Sequence, residues 1–115
     1  MTLPRGKMLH VQADFLSLKE QGKRFVNRYF IVNWRREPEG SVSRFAVIAS
    51  RRLGGAVVRN RFKRLLREAF RLNQLHLSGA VSIVLIARRG MFNKGAEEMK
   101  HEFQFFMKKA GLWAS

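Results

Sequence analysis

Residues 51–71 carry eight basic side chains, Arg51, Arg52, Arg59, Arg61, Lys63, Arg64, Arg67 and Arg71, against one acid, Glu68. Eight minus one leaves +7, nearly half of the formal +15 of the 115-residue chain. Charge of one sign at that density is the chemistry of polyanion binding. The stretch is also amphipathic. Run as a helix from about Val57, at roughly 100° per residue, it places Val58, Phe62, Leu65, Leu66 and Ala69 on one side. Asn60, Arg64, Arg67 and Arg71 gather opposite, with Lys63 at their edge. A solvated face normally mixes signs, because like charges one turn apart repel by a few tenths of a kcal/mol. A row of one sign is explained if phosphates neutralise it. Gly54 and Gly55, just ahead, can bring the helix N-terminus close to a phosphate.

Cleaving a phosphodiester usually takes metal ions held by carboxylates, or an acid–base pair. The chain has one aspartate, Asp14, and seven glutamates. Glu97, Glu98 and Glu102 share one helix, but acids early in a helix also suit its dipole. His10, His76 and His101 are scattered, without metal-ligand spacing. No serine sits in a nucleophile elbow. The residues therefore read as an RNA binder with no catalytic side chains and no metal site of its own.

The bulk numbers agree. The length fits one RNA-binding domain, residues 1–115. An apolar fraction of 46% is that of a folded domain, whereas 23 Lys and Arg against 8 Asp and Glu points to nucleic acid or an anionic membrane surface. There is no cysteine, so disulfides and thiolate metal sites are excluded. No apolar run reaches the roughly 18 residues that span a bilayer, and no signal-length stretch follows residues 1–7. The expected location is cytoplasmic.

The elements that must position the basic stretch follow from periodicity. Residues 9–21 can form a short helix with Val11, Phe15 and Leu18 on one stripe, and Gly22 is a plausible stop. Residues 28–34 and 45–50 read as strands. Pro38 and Gly40 between them mark a turn, so an antiparallel hairpin is expected. After the basic helix and a loop at 73–79, residues 80–87 are nearly all apolar, as in a strand covered on both faces. Strand, helix, strand without reversal makes a βαβ unit, for which the general rule gives a right-handed crossover. Arg51-Arg52 and Arg88-Arg89 then leave the ends of two strands. If those strands are parallel neighbours, four guanidinium groups converge beside the basic helix; otherwise they are two unrelated surface pairs. Residues 97–109 form a second amphipathic helix with Met99, Phe103, Phe106, Met107 and Ala110 facing the core. Phe105 falls on its polar side. Leu112 and Trp113 either tuck back or meet a partner.

The run Gly54-Gly55-Ala56-Val57-Val58-Arg59-Asn60-Arg61-Phe62-Lys63-Arg64-Leu65-Leu66-Arg67-Glu68-Ala69-Phe70-Arg71 resembles the signature helix of the bacterial ribonuclease P protein subunit. The resemblance extends over about residues 9–109. It implies a single-domain α/β sandwich, helix–strands–helix–strand–helix, of the ribosomal-protein-S5-domain-2-like kind, with the exceptional left-handed crossover. It implies that the protein assists a catalytic RNA subunit in removing the 5′ leader of precursor tRNA, with magnesium in the assembled ribonucleoprotein. Arg59, Asn60, Arg61, Lys63, Arg64, Arg67 and Arg71 would meet the RNA subunit. Phe15, Lys19, Ser50, Arg51, Arg52, Arg88 and Arg89 would line the leader groove. Asp14-Phe15 and Gly22 are similar to the family's N-terminal helix, where an aromatic at the Phe15 position faces that groove. A second aromatic usual one turn later is Lys19 here, which exchanges a stacking ring for a charge. No membrane and no obligatory protein partner is implied.

Two other readings compete. A structural RNA-binding protein of the ribosomal kind shares the composition but not the ordered run at 54–71. A basic membrane-surface protein needs an apolar face free to enter lipid, and the apolar faces here are matched by strands that require covering.

Overall fold

A strand that is apolar on both sides must lie inside a sheet, and that requirement sets the topology. The structure, a computed structural model, describes residues 18–114. Residues 18–21 are helical and lead into β1 (Lys23–Val26), β2 (Phe30–Arg36), β3 (Arg44–Ile48), α1 (Ala56–Asn73), β4 (Val81–Ala87) and α2 (Ala96–Ala110). Short 3-10 turns follow β3 (Arg51–Leu53), α1 (Gln74–His76) and β4 (Arg89–Met91). The four strands form one sheet in the order β1-β2-β4-β3.

The crossover β3–α1–β4 joins parallel neighbours, with Phe45 beside Ile83 and Ile48 beside Ile86. The expected hairpin between the second and third strands does not form. β4 lies between them, antiparallel to β2 from Phe30↔Ala87 to Arg36↔Val81. The physical reason is burial: six of the seven β4 residues are buried, so a strand is needed on each side of it. The hairpin of this fold is instead β1–β2. Its turn, residues 27–29, is tied by Asn27 Oδ1, which accepts from the amides of Tyr29 and Phe30 at 2.8 Å each. This is the side-chain turn that asparagine favours.

Alternation along the strands gives the sheet two different faces. Phe30, Val32, Trp34, Phe45, Val81, Ile83 and Leu85 join Phe62, Leu66, Ala69 and Phe70 of α1 and Met99, Phe103, Phe106 and Met107 of α2 in the main core. Rings lock the layers together: Phe45 stacks on Phe70 at 4.1 Å between centroids, and Phe70 meets Phe103 edge-on at 6.0 Å. The other face carries a smaller cluster of Leu18, Ala46 and Val84, flanked by Ile48 and Ile86.

Leu112 and Trp113 tuck back. Leu112 is buried, Ser78 N–H donates to its carbonyl at 2.8 Å, and Trp113 stacks on His76 at 4.2 Å. Arg36 secures this end by donating to the carbonyls of Ser78 at 3.0 Å and Gly111 at 2.6 Å.

Candidate nucleic-acid interface

The two long helices differ at their N-termini. α2 satisfies its own: Glu97 and Glu98 lie in its first turn, and Glu98 Oε1 accepts from the Gly95 N–H at 3.0 Å. α1 has no acid in its first turn and no side-chain cap at Gly55. Among the described residues no side chain caps its first-turn N–H groups, which with the helix dipole suit an anion. Gly54 makes this entry possible, because its φ of +143° is strained for any side chain and an added Cβ would meet Val58 at 3.3 Å.

Along α1, Phe62, Leu66, Ala69, Phe70 and Asn73 are buried. Asn60, Arg64 and Arg67 are exposed, and Lys63 and Arg71 are half-exposed. The basic residues are not equivalent. Arg61 donates to the Lys94 carbonyl at 2.7 Å, fastening α1 to the loop ahead of α2. Arg59 is half-buried, and its Nε is enclosed without a partner among the described residues. Arg71 Nε donates to Glu68 Oε2 at 3.0 Å, and its Nη2 donates to Oε1 of the same carboxylate. That hydrogen bond holds the Glu68 carboxyl below its ordinary value and raises the Arg71 guanidinium above its own. The pair is therefore ionised at neutral pH, and its contribution fades as acid protonates Glu68; at an exposed site that contribution is small. The uncompensated part of the row is Arg64 and Arg67.

The strand-end arginines meet because β3 and β4 run parallel. Arg89 Nη2 donates to the Arg52 carbonyl at 3.2 Å. Arg88 turns the other way and donates to the Asn27 carbonyl at 2.6 Å in the β1–β2 turn. The backbone approaches closely there: a Cβ on Gly90 would lie 2.1 Å from the Arg28 carbonyl oxygen. Arg28 thus joins the arginine end of the sheet. Arg51 and Arg52 are exposed in their 3-10 turn, and Ser50 precedes them as an exposed N-cap in extended conformation.

On the face opposite α1 and α2, a groove of about 320 Å³ is lined by Lys19, Gly22, Arg24, Ile31, Asn33 and Ile86. Phe15 lies outside the described residues. Of the groove residues named from sequence, Lys19 is on its wall; Arg24, Ile31, Asn33 and Ile86 were not foreseen. A signal existed in Asn33, a lone amide between Val32 and Trp34 in an apolar strand, which alternation turns to the face away from the core. Cross-strand pairing sets Arg24 opposite Asn33, so the missed β1 is also the missed cation.

The acids stand elsewhere. Glu37 pairs with Arg35 at 2.7 Å and Glu97 with His101 at 3.3 Å. Among the described residues no three His, Asp or Glu side chains gather as a metal site. Among them too, no helix is long and apolar enough to cross a membrane.

A small α/β sandwich with a cationic helix face that is largely uncompensated among the described residues, an arginine-rich strand end and a basic groove behind the sheet has the surfaces that a polyanion-binding module requires. The family model "Ribonuclease P" matches residues 3–111. The ribonuclease P protein component of Desulfatibacillum aliphaticivorans is 46% identical over 85 residues, covering 74% of this chain and 71% of that protein. That of Desulforapulum autotrophicum is 35% identical over 108 residues, 94% of this chain and 92% of that protein. The RNase P protein structure from Staphylococcus aureus superposes with a TM-score of 0.81 at 28% identity, covering 93% of this chain and 97% of that one. The Thermotoga maritima RNase P protein gives 0.78 at 29% identity, covering 89% and 96%. The chain belongs to the ribonuclease P protein family, the protein component of a ribonucleoprotein endoribonuclease that processes tRNA.

Proposed function

We propose that this protein grips two RNAs at once: the catalytic RNA subunit of ribonuclease P and the 5′ leader of precursor tRNA. The observation that carries the reading is the separation of two cationic surfaces by one sheet. On the helix side, Asn60, Lys63, Arg64 and Arg67 face outward, and Arg59, Arg61 and Arg71 border them. This exposed helix face suits the phosphates of a folded RNA, where contacts position without reading sequence. Behind the sheet, the groove of Lys19, Arg24 and Asn33 suits a flexible single strand, which would run on to Ser50, Arg51, Arg52, Arg88 and Arg89 at the strand ends. Phe15 would supply its stacking ring.

On this reading the side chains bind and orient; they move no proton. Magnesium ions in the assembled particle supply the charge stabilisation that phosphoryl chemistry requires, held by the RNA subunit rather than by these residues. The work would take place in the cytoplasm.

Salt dependence tests the reading. If about six phosphates are contacted, log K against log salt falls with a slope of roughly −4 to −5. Titration of the protein into the RNA subunit at several salt concentrations measures it. A slope shallower than about −2 contradicts the reading, because most of the cationic surface would then be unused.

A further inference from the structure

The edge strand β1 has a second groove, on the helix side of the sheet. It measures about 180 Å³ and is lined by Lys23, Arg24, Phe25, Trp34, Phe106, Lys109 and Ala110. Three aromatic rings line it, Trp34, Phe106 and Phe25, and Phe105 beside Phe25 extends the row beyond the lining. Trp34 meets Phe106 edge-on at 6.0 Å, Phe106 meets Phe25 at 5.2 Å, and Phe25 meets Phe105 at 6.5 Å. The row runs from the core into solvent: Trp34 is 6% exposed and Phe105 is 55% exposed. Lys23 Nζ sits 5.3 Å from the Trp34 ring centroid. Three cations and no acid line the groove.

Arg24 lines this groove and also the basic groove behind the sheet. The two grooves therefore meet at Arg24 on the β1 edge. Core packing explains Trp34 and Phe106. It does not explain Phe105, which projects from the polar side of α2, or a lining whose charged members among the described residues are all cations. Exposed rings beside cations that can follow a backbone are what a single-stranded nucleic acid recognises, since every base offers a π-face.

We infer that Phe105 and Phe25, with Lys23, Arg24 and Lys109, form a second single-strand RNA subsite, which takes the part of the leader farther from the tRNA after it rounds the β1 edge. The inference rests on the leader-binding reading above. The leader's inner nucleotides occupy the groove behind the sheet, Arg24 holds a phosphate at the bend, and an outer base stacks on Phe105.

Leader length separates the two readings. Holoenzyme assembled with unaltered protein or with Phe105→Ala is titrated with mature tRNA and with precursors carrying leaders of about 4 and about 16 nucleotides, the range one small fold covers. Phe105→Tyr, which keeps the ring, is measured alongside. The expected result is that Phe105→Ala weakens the long-leader precursor at least about fivefold, the lower end for one stacked base, and leaves the short-leader precursor unchanged. Phe105→Tyr binds as the unaltered protein does. Equal weakening of both precursors overturns the inference, because Phe105 then acts on the fold or on the RNA subunit. No weakening of either also overturns it, and leaves the ring for a protein partner. If the unaltered holoenzyme does not favour precursor over mature tRNA, the leader-binding reading itself fails, and this subsite with it.

Discussion

Replacing Arg64 and Arg67 together with alanine is expected to weaken assembly with the RNA subunit by about 2 kcal/mol, roughly 30-fold, near physiological salt. The salt slope should become shallower by about one for each residue removed. Both side chains are exposed on α1, opposite Phe62, Leu66 and Ala69, and neither has an ion pair among the described residues. Alanine is a strong helix former, so the helix survives the change. The loss should be the same for any precursor tRNA, since phosphate contacts carry little sequence information. Arg71→Ala should cost less than either single change, because Glu68 already engages its guanidinium. Filter binding of single and double variants, with thermal melts to confirm folding, checks the ordering. An Arg71 effect larger than that of Arg64 and Arg67 combined would move the RNA contact toward the C-terminal end of α1.

Phe62→Ala is expected to be among the most damaging single changes to the fold, at about 3–5 kcal/mol. The ring is fully buried, and its edge meets Phe92 at 5.0 Å, so it connects α1 to the loop that carries Arg88 and Arg89. For a domain of this size the midpoint of unfolding should fall by roughly 10–20 °C. Differential scanning calorimetry measures this directly. Phe92→Ala should cost much less, because that ring is itself partly exposed. If both variants melt alike, the loop and not the core anchors the arginine end of the sheet.

Much of this architecture is legible in the residues. The α1 stripe and the Met and Phe face of α2 show a helical period, and the short unbroken apolar run of β4 has the length of a strand covered on both faces. The basic face is legible for the same reason, since charge and periodicity fall in one segment. The sheet order is harder. Reading along the chain pairs strands that follow one another, and Pro38 with Gly40 invites a hairpin. The stronger signal is the apolar run of β4, which demands a neighbour on each side and so displaces β3 from β2. β1 is harder again: Lys-Arg-Phe-Val shows no alternation of apolar and polar residues, and charge on an edge strand is there to deter pairing. With β1 unseen, Arg24 has no place in a groove. Arg88 and Arg89 show a further limit. Adjacent in sequence, they point to opposite neighbours of β4, which only the strand order decides.

The central claim is that this chain assists an RNA that does the chemistry. The direct measurement combines the purified protein, a catalytic RNA subunit of ribonuclease P and a precursor tRNA at low magnesium, and maps the 5′ end of the product. A cationic subunit replaces part of the screening that divalent ions otherwise give. Correct 5′ maturation should therefore require protein and RNA subunit together, and the protein freed of RNA should cleave nothing. Cleavage by RNA-free protein, or a reaction at low magnesium that the protein does not stimulate, would contradict the account.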